Sequence, residues 1–163
     1  MTVGRISAQK DPSFLARVVE RVGDPSLTWT WIGDGEPTLK QELIDAGVNV
    51  TGWLPNGEAL KRMAEADLYF HPARWEGAPM TLLEAVSLGT PVLTREIETL
   101  GGLGFASAGA DPDGAATAVR RLRRMRIIGL QWKHVRALAR HSFFEVQGRA
   151  LSYVYGVSPE DAA

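Results

Sequence analysis

The sequence contains no cysteine, so disulfide frameworks and thiolate metal sites are excluded. It also lacks an excess of either charge. Eighteen Lys and Arg stand against nineteen Asp and Glu, and a net charge of −1 draws the chain neither to nucleic acid nor to acidic membranes. No apolar run approaches the ~20 residues that cross a bilayer. Arg5 and Lys10 are not followed by the apolar stretch of a signal peptide. Histidine is scarce, and His71, His134 and His141 are not spaced as a metal site. His71 ends a predicted strand and suits a polar loop role; His134 and His141 read as solvated helix residues. No Ser-His-Asp arrangement is suggested.

What is present is an ordinary globular composition: 163 residues, 45% apolar and 23% charged, enough for one domain with a real core. A strand begins almost at Met1, which reads as the middle of a longer protein. Short apolar runs then alternate with helical patterns. Strands are expected at Val3 to Ile6, Leu27 to Ile32, Val48 to Val50, Ala66 to Phe70 and Thr90 to Leu93. Helices are expected at Ser13 to Val22, Pro37 to Ala46, Gly57 to Glu65, Pro79 to Leu88, Asp111 to Met125, Leu130 to Arg140 and Phe143 to Tyr155. This alternation predicts an α/β fold, a Rossmann-like doubly wound parallel sheet with helices on both faces. Residues 1–157 form the domain and 158–163 a frayed tail. Such sheets bind ligands beyond the carboxyl ends of their strands, where Arg5, Gly33 to Gly35 and His71 to Pro79 fall.

Two carboxylates, Glu76 and Glu84, stand with seven residues between them: Glu76-Gly77-Ala78-Pro79-Met80-Thr81-Leu82-Leu83-Glu84. The first belongs to a loop and the second to an apolar helix. Pro79 suits a helix start, and the free N–H groups and dipole of that start attract an anion such as a diphosphate. A carboxylate only accepts hydrogen bonds, so Glu84 suits the paired hydroxyls of a ribose and Glu76 those of a sugar ring. Ordinary surface acids are the alternative, but an exposed acid rarely sits inside so apolar a run. Gly33-Asp34-Gly35 lacks the third glycine of a dinucleotide fingerprint, which rules out an NAD site.

The stretch from Glu76 to Val92 resembles the Glu-x7-Glu signature of retaining GT-B glycosyltransferases of family 4, or group 1. Val3-Gly4-Arg5-Ile6-Ser7 with Lys10, Trp31-Ile32-Gly33-Asp34-Gly35-Glu36, Val50-Thr51-Gly52-Trp53-Leu54 and Ala66 to Pro72 are similar to further landmarks of that family, in order. The resemblance implies the C-terminal, donor-binding half of a GT-B fold. It implies that Arg5 and Lys10 bind the donor diphosphate, that Glu84 holds the nucleotide ribose, and that Glu76 contacts the transferred sugar or steadies charge at its anomeric carbon. Gly77, Ala78, Pro79, Met80 and Thr81 would line sugar and phosphate; Pro79 removes one backbone donor, so phosphate contacts shift to Met80 and Thr81. Gly33 would lie near the donor. Trp53 would lie beside the nucleobase, with simple packing as its alternative.

The implied partners are a nucleotide sugar, an N-terminal acceptor domain that this chain does not encode, and an acceptor left open. No metal and no cofactor are expected, since diphosphate departure is assisted electrostatically. The fragment is expected to be inactive alone and cytoplasmic. Arg120, Arg121, Arg123, Arg124 and Arg126 form a basic run that reads either as a solvated helix face or as a peripheral contact with an anionic membrane. Rival readings are a non-catalytic sugar-nucleotide binding module, a GT-B sugar epimerase and a receiver-like signalling domain. The last would need clustered acids after the first strand, where Arg5-Ile6-Ser7 stands instead.

Overall fold

The computed structural model describes residues 1–77, 79–101 and 105–125, without the side chains of Arg124 and Met125. The helices expected at Leu130 to Arg140 and Phe143 to Tyr155, the tail, His134, His141 and Ala78 lie outside the described residues. Within them the chain alternates as β1 (Thr2–Val3), α1 (Pro12–Val22), β2 (Thr30–Ile32), α2 (Pro37–Asp45), β3 (Asn49–Val50), α3 (Asn56–Ala64), β4 (Tyr69–His71), α4 (Met80–Leu88), β5 (Val92–Thr94), β6 (Ala106–Ser107) and α5 (Pro112–Met125). A 3-10 turn, Glu98–Leu100, separates β5 from β6.

Local chemistry sets these boundaries. Asp11 caps α1 by accepting the Phe14 N–H, Pro12 occupies the first turn, and Gly23 closes the helix at φ 57°. Pro37 starts α2 in the same way, and Gly89 ends α4 at φ 77°. Several strands are shorter than their apolar runs. Leu27 is taken into a turn by its N–H bond to Asp24 O, so β2 begins only at Thr30. Beyond Val3 the ladder is reduced to the Gly4 N–H bond to Ile32 O and an isolated bridge, Ile6 to Gly35. The strand expected at Ala66 to Phe70 lies at Tyr69–His71, where all three side chains are buried; Glu65 and Asp67 stay outside the core.

Every strand pair is parallel. β1, β2 and β3 form one three-stranded sheet, and β4, β5 and β6 another. The two meet along β1 and β4. The Phe70 N–H donates to Met1 O at 2.8 Å, and the Thr2 hydroxyl donates to Phe70 O at 2.8 Å. Laid side by side, the strands run 3-2-1-4-5-6, so chain order reverses between β1 and β4. Ligand crevices of open α/β sheets lie at the carboxyl ends of the strands at such a reversal.

Alternation along the strands sends side chains to two cores. Phe70 and Leu93 join Phe14, Leu15, Val18, Trp31, Leu43 and Ala116 on one side. Tyr69 and Val92 join Met63, Leu82, Ala85 and Val86 on the other, the side covered by α3 and α4. His71, two residues after Tyr69, therefore points to the α4 side.

Candidate active site

The loop after β1 and the loop after β4 converge at the carboxyl ends of these strands. Lys10 and Glu76 form an ion pair across them. Gly4 makes the approach possible: a Cβ there would lie 3.3 Å from Lys10 Cε, and its φ of 150° disfavours any other residue. The Lys10 stem thus runs over the end of β1. The Glu76 side chain is only 4% exposed, so this loop acid is an interior group.

His71 lies beside the pair. Its Nε2 is 3.1 Å from Glu76 Oε1 but lacks hydrogen-bond alignment, and the buried nitrogen has no hydrogen-bond partner among the described residues. Burial is the main cause that drives the His71 imidazole below its ordinary pKa; Glu76 opposes this shift and Lys10 adds to it. Burial pushes the Glu76 carboxyl up, yet the His71 and Lys10 nitrogens outweigh it and hold the group below the usual glutamate range. At neutral pH the site therefore contains a carboxylate and a neutral imidazole.

The start of α4 faces the same region. The Leu82 and Leu83 N–H groups turn back to Pro79 O at 2.9 and 3.2 Å. Among the described residues the Met80 and Thr81 N–H groups find no acceptor. The Thr81 hydroxyl accepts from the Tyr69 hydroxyl at 2.8 Å, which ties α4 to β4. Burial raises the Tyr69 phenol far above its ordinary pKa, so it stays a neutral donor. Glu84, half buried, lies three residues beyond Thr81 on the same helix face. Met80 is exposed, and Gly77 opens to solvent: a Cβ there would meet nothing within 4 Å.

Arg5 is exposed at the end of β1 and forms no ion pair among the described residues. Arg5 and Lys10 are thus not equivalent: among the described residues one cation is free and the other holds Glu76. Gly33 packs against β1 so tightly that a Cβ would fall 2.0 Å from Gly4 O. Its N–H donates to Gly52 O at 2.9 Å, which places the Trp53 loop beside it. Trp53 is 62% exposed, so its ring is not part of this chain's core.

Sequence reasoning did not single out His71 as the neighbour of Glu76, or Asp11 as a buried ion-pair centre. The one signal for His71 was its place at a strand end before Pro72. The basic run also differs from a uniform free face. Arg120 Nη1 donates to Arg21 O at 2.5 Å, and Arg123 pairs with Asp24. Arg121 is exposed, while the Arg124 side chain and Arg126 lie outside the described residues. Among the described residues no cluster of three or more His, Asp or Glu can hold a metal, and no helix is long and apolar enough to cross a membrane. A groove of about 400 Å³ lined by Leu27, Trp29, Leu68 and Phe70 opens at the amino ends of the strands, opposite the converging loops.

Comparison with known proteins gives the family and the fold. The teichuronic acid biosynthesis glycosyltransferase TuaC of Bacillus subtilis, a putative assignment in its own name, is 33% identical over 95 residues, covering 58% of this chain and 24% of that protein. The chain thus spans about a quarter of the length of the curated relatives it matches. The catalytic domain of cholesterol-alpha-glucosyltransferase from Helicobacter pylori superposes with a TM-score of 0.68 at 17% identity, covering 88% of this chain and 99% of that one. The pneumococcal O-GlcNAc transferase GtfA, solved with UDP and GlcNAc, gives 0.73 at 19% identity, covering 96% and 35%. These likenesses show the Rossmann-like α/β fold of GT-B glycosyltransferases. The family model described as "Glycosyl transferases group 1" matches residues 1–125, and the chain belongs to that family.

Proposed function

We propose that the described residues form the donor site of a retaining glycosyltransferase that takes a nucleoside-diphosphate sugar. The observation that carries this reading is the part-buried Lys10–Glu76 pair that joins the loops after β1 and β4, at the same strand-order reversal where exposed Arg5 follows β1 and two N–H groups at the start of α4 are unpaired among the described residues. The Arg5 guanidinium matches phosphate oxygens as a fork. The Met80 and Thr81 N–H groups and the α4 dipole add fixed positive potential at the same place. Glu84, further along the helix, accepts from ribose hydroxyls, and exposed Trp53 stands where a nucleobase can stack. The structural neighbour solved with UDP and GlcNAc supports this class of ligand.

In the reaction the bond from the anomeric carbon to the diphosphate oxygen breaks, and its electron pair leaves with the diphosphate. The acceptor oxygen bonds to the same carbon, and its proton passes to the departing diphosphate oxygen. Arg5 and the helix start stabilise the charge that gathers on the leaving group, without reorganisation during the step, while Lys10 holds Glu76 in place. Glu76 is an anion near the carbon that becomes positive. The acceptor site belongs to an N-terminal domain outside this chain, so the chain alone binds the donor but does not transfer it. Thermal-shift screening with UDP, GDP and ADP sugars tests the first part, with stabilisation by one base class expected and none by any contradicting it. Sugar transfer by the chain alone would contradict the second part. That assay has particular force because the chain nearly covers a solved domain described as catalytic.

A further inference from the structure

Asp11 is the only non-glycine residue among those described with a positive φ, 46°. Its side chain is 3% exposed. Left-handed backbone is unfavourable for a residue with a Cβ, though Asp tolerates it better than most. A glycine would relieve the strain, and a solvated serine or asparagine would cap α1 equally well. The carboxylate therefore has a further task, and its partners show which. Oδ1 accepts the Phe14 N–H at 3.1 Å. Oδ2 accepts from Arg74 Nε at 2.8 Å and from Arg95 Nη1 at 2.7 Å. Arg74 lies in the loop after β4 and Arg95 directly after β5. The Arg95 guanidinium carbon also sits 4.2 Å from the centre of the Phe14 ring, and the Arg95 backbone N–H donates to His71 O at 2.8 Å.

Each residue from 9 to 11 thus touches the loop after β4. Gln9 O accepts the Arg74 N–H at 2.9 Å, and Gln9 Nε2 donates to Trp75 O at 3.3 Å. Lys10 pairs with Glu76, and Asp11 pairs with Arg74. The contacts alternate along two adjacent loop segments, and Asp11 is the point where the segments following β1, β4 and β5 are joined. We propose that Asp11 is a positioning residue: by clamping Arg74 and Arg95 it fixes the loop after β1 against the loop after β4, and so sets the Lys10–Glu76 pair in place. It touches neither substrate nor the reacting atoms.

Two measurements test this, and only the second rests on the donor-site reading. The first is the rate at which Lys10 is acylated by an amine-reactive ester, followed by peptide mass spectrometry, with exposed Lys61 as internal reference. Asp11→Asn keeps a helix-capping side chain that tolerates left-handed backbone, yet loses the charge that holds both arginines. Lys10 acylation relative to Lys61 should rise several-fold in this variant while melting remains cooperative. Should Asp11→Asn fail to fold, Arg95→Met removes the same clamp from the other side and should raise Lys10 reactivity likewise. Unchanged Lys10 protection in a folded variant would overturn the proposal. The second measurement is affinity for UDP or GDP, which should fall roughly 10-fold in Asp11→Asn. Equal affinity in parent and variant would also overturn it. If the parent binds no nucleotide while Lys10 protection is still lost in the variant, the donor-site reading fails and the positioning role stands.

Discussion

The interior ion pair shows how one residue's character depends on what the fold places beside it. Glu76 reads as a loop acid in sequence, but its carboxylate is buried between Lys10 and His71. Removing one partner of such a pair leaves the other charge uncompensated. A double-mutant cycle with Lys10→Met and Glu76→Gln should give a coupling of about 1–3 kcal/mol by denaturant unfolding; strictly additive losses would mean that the pair contributes nothing. The same cluster sets a pH dependence. Depressed folded-state values for His71, Glu76 and Asp11 mean that the unfolded chain binds protons first. The contribution of these three groups is therefore full above the ordinary imidazole range. It falls as pH drops through the imidazole range, and again through the carboxylate range. In His71→Gln the imidazole's share of the loss should disappear from a melting-temperature profile between about pH 5 and 7.5, leaving that of the buried Met1 amine, whose folded value is lowered to about 6. The glutamates were legible in sequence because their spacing and apolar surroundings are unusual. His71 was not, because a lone histidine before a proline carries no pattern. Its role comes from lying across the space between β4 and a loop acid further along the chain.

Elements were more legible than their ends. Helices showed themselves through apolar periodicity and proline: the starts expected at Ser13, Pro37 and Pro79 lie within one residue of those in the structure, while the Asp11 cap was not foreseen. Strands were read too long, because an apolar run shows which residues are buried but not which pair. Leu27 packs against the core while its backbone belongs to a turn. The close contact between the loops after β1 and β2 was also hidden, since it depends on two backbones meeting at glycines. Gly33→Ala should destabilise by about 1–3 kcal/mol, because the new methyl meets Gly4 O and the backbone stands at φ 141°. Gly57→Ala is the control: nothing lies within 4 Å of the added carbon, and its place in the first turn of α3 should leave stability unchanged or raised by up to ~1 kcal/mol. Equal effects of the two substitutions in chemical denaturation would contradict the tight packing at Gly33. At the start of α4, Tyr69→Phe removes the hydrogen bond to Thr81 and should cost about 1 kcal/mol.

For the whole molecule, strand order matters more than any one motif. Alternation of strand and helix was enough to expect a doubly wound sheet. The reversal between β1 and β4 became visible only through the contacts of Met1 and Thr2 with Phe70. That reversal explains why residues as distant in sequence as Arg5, Lys10, His71, Glu76 and Thr81 share one end of the sheet. It also separates them from the groove at the opposite end, whose lining mixes Leu27, Trp29 and Phe70 with Arg62, Glu65 and Asp67. Membership in the group 1 glycosyl transferases fits this arrangement. The donor site remains the claim on which the rest turns, and isothermal calorimetry tests it most directly. UDP, GDP and ADP are titrated into the parent chain, Arg5→Ala and Glu84→Ala. The account predicts saturable binding of one nucleotide by the parent, weakened ~10-fold or more in both variants. Binding by none of the three nucleotides, or equal affinity in parent and variants, would contradict it.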